Sequence, residues 1–155
     1  VAAVDLKLNR NMAKVTLQSV PDQPGIAAEV FSTLGEQGIN VELLSSIATG
    51  QGRGDISFAI PENDLKAAEP QLEALKGRIG CRKTVFDTGV SLISLYGERL
   101  SSDPAFSSRI FKSLAKEGIN LQMISQSVSA LSFLVDRAKL DQAVTILKGT
   151  EEIEG

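Results

Sequence analysis

A chain of 155 residues, 43% hydrophobic and 23% charged, suffices for one ordinary domain or two small ones with real cores. Its formal charge of −3, with basic residues scattered, offers no field for nucleic acid or an anionic membrane; no apolar run approaches the ~20 residues of a membrane helix. Histidine is absent and Cys81 is the only cysteine, so imidazole chemistry, internal disulfides and multi-cysteine metal sites are excluded, and neither metal nor cofactor is expected.

The chain opens "VAAVDLKLNR", with no signal-peptide core and no initiator Met, as expected of a fragment excised from something longer. Val4, Leu6 and Leu8 alternate within Ala2–Asn9 and predict a strand; "AKVTLQSV" (Ala13–Val20) predicts a second. "PDQPG" then places Pro near a helix start, Ile26, Val30, Phe31 and Leu34 follow helical spacing, and Gly38 stands where a left-handed residue stops the helix. "INVELLSSI" and "DISFAI" read as a hairpin whose connection, "ATGQGRGD" (Ala48–Asp55), is Gly-rich and expected as a longer turn, with Arg53 solvated at its tip. An amphipathic helix follows at Glu62–Lys76, where Pro70 is expected to kink it or mark a late start. "CRKTVFD" (Cys81–Asp87) supplies a further strand, with Cys81 a half-buried, unreactive thiol in a reducing, cytoplasmic setting.

The same order then repeats: strand "GVSLISLYG", turn "SSDPA", helical Phe106, Ile110, Phe111 and Leu114, Gly118, strands "INLQMISQSV" and "ALSFLVD", and a helix at Lys139–Lys148. Pro24 to Ser45 match Pro104 to Ser125 at a constant offset of eighty, which falls to seventy-five for "ISFAI" and "LSFLV". A period near eighty suits a duplicated small domain, not a solenoid unit. Phe31 and Phe111 are expected in the cores, with Met12 and Met123 as packing residues. Each copy reads β-α-β-β-α and needs one more strand to make a ferredoxin-like layer, so the expected class is α+β, with antiparallel sheets and helices on one face. Cys81–Asp87 completes the first copy. Little but the acidic "GTEEIEG" follows Lys148, so the N-terminal strand is expected to complete the second copy. This divides the chain into 11–87, inserted within 1–10 plus 88–149, and a tail at 150–155. An N-terminal strand pairing with another chain is the other arrangement open.

"VPDQPG" after the first strand, with "GINV" opening the second, resembles the ACT domain, a small-molecule-sensing module of amino-acid metabolism. The tandem pair, with "EGINLQMIS" and "LSFLVDRAKLDQAVTILK", resembles the regulatory region of aspartokinase over nearly the whole chain from Val1 to Lys148. That resemblance implies one ACT unit inserted in the other and a kinase catalytic domain or subunit as partner. It further implies threonine, lysine or both as feedback effector. No kinase motif is visible: "GQGRG" lacks the Lys-Ser/Thr ending of a phosphate loop. The fragment itself is therefore not expected to be an enzyme.

An amino-acid ligand brings a carboxylate and an ammonium that are expensive to desolvate without partners. The helix after "DQPG" offers backbone N–H groups at Gly25, Ile26 and Ala27 to a carboxylate, and Asp22 is the acceptor for an ammonium or hydroxyl. Asn40–Val41 and Asn120–Leu121 offer backbone groups and amide side chains; both Asn residues are equally read as turn residues. By the resemblance, the ligand lies between the Asp22–Ala27 turn and the Asn120–Leu121 strand, often across a homodimer. The matching second-copy turn carries Ser102, Asp103 and Phe106, where Asp103 is read either as ligand contact or as helix cap. Two positions depart from the family pattern: Ser46 stands where many members have Gln, and Val128 where many have Glu; the second removes a partner for a lysine ammonium and so favours threonine over lysine. The competing reading is an ACT-type dimerisation module without a working effector site.

Overall fold

The structure, a computed structural model, describes residues 3–150 and 153–154. Ala2 of the expected first strand, and 151–152 and 155 of the expected tail, lie outside the described residues. The chain divides into a first unit, Asn11–Thr88, and a second made of residues up to Arg10 together with Gly89 onward. Its elements are β1 (Val4–Pro21), α1 (Ile26–Gly35), β2 (Glu42–Gly50), β3 (Arg53–Pro61), α2 (Leu65–Ile79) and β4 (Lys83–Tyr96). There follow α3 (Arg99–Ser102), α4 (Phe106–Lys116), β5 (Gln122–Gln126), β6 (Ala130–Asp136), α5 (Leu140–Lys148) and β7 (Ile153–Glu154).

Strand order in the first unit is β2-β3-β1-β4, and in the second β5-β6-β4-β1. The second repeats the order of the first with the roles of β1 and β4 exchanged, giving two ferredoxin-like units of the expected α+β class. The β1–β3, β2–β3, β4–β6 and β5–β6 pairs are antiparallel. Two pairs of separately expected strands are continuous. Ala2–Asn9 and Ala13–Val20 join in β1, because Arg10, Asn11 and Met12 contain neither Gly nor Pro to break an extended run. Cys81–Asp87 and the "GVSLISLYG" run likewise join in β4, though Cys81 itself precedes the strand.

In the first unit, Val15 and Leu17 of β1 and Ile56, Phe58 and Ile60 of β3 alternate onto one buried face. Val30 and Leu34 of α1 and Ala68, Leu72, Leu75 and Ile79 of α2 cover them. The second unit packs Ile93 and Leu95 of β4 and Leu131, Phe133 and Val135 of β6 under Phe106, Ile110 and Leu114 of α4 and Leu140, Ala143 and Leu147 of α5. Ile153 of the expected tail is buried there too; β7 runs parallel to β1, pairing Ile153 with Val4.

Both helix-stopping glycines take left-handed geometry, Gly38 at φ 72° and Gly118 at φ 74°. The N–H of Gly38 donates to the Gly35 carbonyl and that of Ile39 to Leu34, and Gly118 and Ile119 repeat this with Ala115 and Leu114. This is a Schellman stop used twice, its apolar residues Ile39 and Ile119 buried. The strands expected at these isoleucines therefore begin three residues later, because the cap uses them first. Alanine at Gly38 or Gly118 is expected to cost about 1 kcal/mol, seen as a lowered thermal midpoint. Alanine at Gly35, inside α1 with open space around it, is expected to raise the midpoint.

Other expectations are corrected. The Ala48–Asp55 connection is no long turn: β2 runs to Gly50 and β3 starts at Arg53, leaving Gln51–Gly52 as a two-residue hairpin with φ of 57° and 71°. The five extra residues lengthen strands instead. α2 begins at Leu65 and continues past Pro70 to Ile79, since its Ala68–Leu72–Leu75–Ile79 stripe keeps it on the core beyond the proline. Phe31 is 44% exposed and not core, because the buried stripe of α1 runs through Val30, Thr33 and Leu34. Its counterpart Phe111 does pack, edge-on to Phe133 with centroids 6.5 Å apart. Met12 is buried, and Met123 is partly buried at φ 50° in a bulged stretch of β5.

Candidate functional site

The candidate site grows from the corner between β1 and α1 in the first unit. β1 bulges after Leu17, resumes pairing at Val20 and Pro21, and turns away as the proline removes a donor. The N–H of Asp22 donates to the Gly52 carbonyl at 2.7 Å, tying the corner to the hairpin. Gly25, at φ 95°, swings the chain into α1, whose first acceptor bond is Glu29 N–H to the Gly25 carbonyl at 3.0 Å. The N–H groups of Ile26 and Ala27 therefore lack intrahelical acceptors, as at any helix start.

Beside this corner is a cavity of about 320 Å³. Asp22, Gln23, Ile26 and Ala27 form one wall. Leu44, Ser46 and Ala48, alternate residues of β2 and so on one face, form the second, and Gly54 and Ile56 of β3 the floor. A Cβ at Gly54 would sit 2.7 Å from the Ile47 carbonyl oxygen, so glycine is what lets β2 approach there. Among the described residues, Asp22 is the one charged side chain in the lining, and it is exposed. An acid, two helix-start amides, the Ser46 hydroxyl and the Gln23 amide, set among apolar side chains, together suit a small zwitterion with a short neutral side chain.

Of the residues predicted from sequence, the structure gathers Asp22, Ile26, Ala27 and Ser46 at this cavity. Gly25 instead borders a second hollow of about 300 Å³ with Glu29 and Arg78. Asn40 is exposed and Val41 packs against the first-unit core; neither lines the cavity. In the second unit Asn120 is exposed and Leu121 packs against the core. Sequence reasoning missed Val20, Pro21 and Gln23 at the corner, Leu44 and Ala48 of β2, and Gly54 and Ile56 of β3. Counting outward from Ser46 by twos would have found Leu44 and Ala48 on the same strand face.

The second-unit corner is built differently. At the offset of eighty, Asp103 corresponds to Gln23 and Ser102 to Asp22, so the acid sits one residue later. Asp103 accepts the Ala105 N–H at 3.1 Å and an Arg109 donor at 2.8 Å, with Arg99 3.5 Å away. Phe106, the counterpart of Ile26, is 1% exposed beneath the Arg109 guanidinium, and Ser102 is exposed at the end of α3. The hydrogen bond from Arg109, then that from Ala105 and the nearby charges, outweigh desolvation and hold the Asp103 carboxyl below its ordinary value of 3.8. A depressed folded value stabilises wherever the unfolded carboxyl is ionised, and that stability is lost as pH falls below about 3.8. Asp103→Asn is therefore expected to flatten the acid limb of stability, measured by urea denaturation at pH 7 and pH 3. Cys81, by contrast, is buried; its thiol faces the Gln18 and Lys83 carbonyls at 3.3 and 3.2 Å, and desolvation pushes its pKa up. It is no thiolate.

No helix of the described residues is long and apolar enough to cross a membrane. Two family models, each described as ACT domain, match residues 14–77 and 93–150. An aspartate kinase of Pseudomonas fluorescens is 33% identical over 149 residues, covering 96% of this chain but 36% of that protein. The chain thus spans about a third of the length of the curated relatives it matches. The ligand-free regulatory subunit of aspartate kinase from Thermus thermophilus superposes with a TM-score of 0.89 at 28% identity, covering 98% of this chain and 100% of that one. A crystal structure of aspartokinase alpha and beta subunits gives 0.85 at 30%, covering 96% and 97%.

Proposed function

The chain belongs to the ACT-domain family, as the paired regulatory region of an aspartokinase, and from that membership we propose that the Asp22 corner of its first unit binds a free amino acid as a feedback effector. The observation that carries this reading is the cavity itself, where Asp22, the α1 amides and Ser46 converge. The ligand ammonium pairs with Asp22 and its carboxylate takes the N–H groups of Ile26 and Ala27. Threonine is favoured over lysine: with Asp22 engaged, the lining holds no second acid among the described residues for a side-chain ammonium, whereas Ser46 and Gln23 suit a hydroxyl. Occupancy biases an attached or associated aspartate kinase catalytic part toward its inactive arrangement. That requires tighter binding to one state than the other, not tight binding alone. A homodimer is part of the proposal, since a single copy leaves the β2 edge of its first unit open.

Titration calorimetry with L-threonine and L-lysine tests this. Saturable heat with threonine, weaker or absent with lysine, supports it; heat from lysine alone reverses the specificity. Heat with neither favours a dimerisation module without a working site. That second reading draws on Leu44, Ile47, Ile124 and Val128, apolar side chains exposed on or beside the edge strands β2 and β5.

A further inference from the structure

We propose that Arg53 is the positioning residue of this corner, a role that rests on the effector reading for its use but not for its geometry. Arg53 is partly buried at the start of β3 and no solvated tip. Its Nε donates to the Ser19 Oγ at 2.6 Å, and one Nη serves both the Ser19 carbonyl and, at 2.5 Å, the carbonyl of Gly80 at the end of α2. Two residues along the same strand, Asp55 Oδ1 accepts the Ser19 N–H at 2.9 Å. Ser19 is thus held on its N–H, its carbonyl and its hydroxyl by two side chains of β3.

Ser19 needs that hold because it is a non-glycine residue at φ 55°. It is the bulge that shifts the β1–β3 register between Leu17 and Val20. Were Ser19 to relax into extended geometry, β1 would realign by one residue and the following side chains would exchange faces. Asp22 would leave the cavity and its N–H would leave the Gly52 carbonyl. The planar fork of arginine reaches two carbonyls and a hydroxyl together; a lysine ammonium lacks that geometry. Arg53 is not among the residues that line the cavity. It acts through Ser19.

Amide hydrogen exchange on the whole chain, without ligand, reads this directly. Arg53→Ala is expected to speed exchange of the Ser19 and Asp22 amides about tenfold or more, with Arg53→Lys close behind, while amides at Ile56–Ile60 keep their protection. Adding Ser19→Gly, which takes the left-handed geometry unaided, is expected to restore part of the Asp22 protection. Unchanged exchange at Ser19 and Asp22, or loss spread evenly to Ile56–Ile60, overturns the proposal. In calorimetry with L-threonine and L-lysine, Arg53→Ala is expected to raise the Kd of whichever the wild type binds about tenfold, and the double variant with Ser19→Gly to recover part of it. Equal affinity in wild type and Arg53→Ala sinks the positioning role while leaving the effector site standing. No binding to the wild type sinks the effector reading, and the exchange result still decides Arg53.

Discussion

Phe58→Ala is expected to destabilise the protein by about 3–5 kcal/mol. Phe58 is fully buried at the middle of β3, opposite Val15 of β1, in the cluster that joins the sheet to α1 and α2. Truncation removes its transfer free energy and leaves a cavity that neighbours on two strands and two helices cannot collapse to fill. Against a total of roughly 5–15 kcal/mol for a typical domain, such a loss leaves the unit marginal or unfolded. Urea denaturation followed by circular dichroism should show a large fall in midpoint, with Phe58→Leu falling much less because more of the volume is kept. A change below about 1 kcal/mol for the alanine variant would contradict the core assignment. Phe133, its repeat partner at the offset of seventy-five, is likewise fully buried, so Phe133→Ala is the matched measurement in the second unit.

The second large effect falls on binding and spares the fold. Asp22→Ala is expected to raise the effector Kd about ten- to hundredfold, since a hydrogen bond between charged groups is worth roughly 1.5–3 kcal/mol. Asp22→Asn keeps an acceptor without the charge and should fall between. Because the Asp22 side chain is exposed, neither variant is expected to move the thermal midpoint by more than about a degree or two. Calorimetry and a melting curve on the same samples separate the two effects. Unchanged affinity in Asp22→Ala would place the ammonium elsewhere. Unchanged affinity only in Asp22→Asn would mean that hydrogen bonding, not charge, does the holding.

The contrast between Asp22 and Asp103 shows where sequence reasoning stopped. Both stand just before a helix in matching turns; the sequence reads Asp22 as an acceptor for the ligand and Asp103 as either a ligand contact or a helix cap. A one-residue offset and the company of Arg99 and Arg109 turn Asp103 inward on its own turn, while Asp22 lines a cavity. Arg53 teaches the same lesson in reverse. Its glycine neighbours suggest a loose loop, yet the chain there forms a tight two-residue hairpin that delivers the guanidinium to Ser19 and Gly80.

By itself the sequence determined the duplication, through its constant offset of eighty, and also the α+β class and both glycine stops, because helix, strand and stop signals depend on neighbours within one turn of helix or a few strand residues. Only the tertiary structure decided which acid lines a cavity and which is bonded within its own turn, which strand face lines that cavity and what bonds to the β1 bulge. Those depend on groups far apart in the chain, whose meeting follows from strand pairing and not from any local pattern.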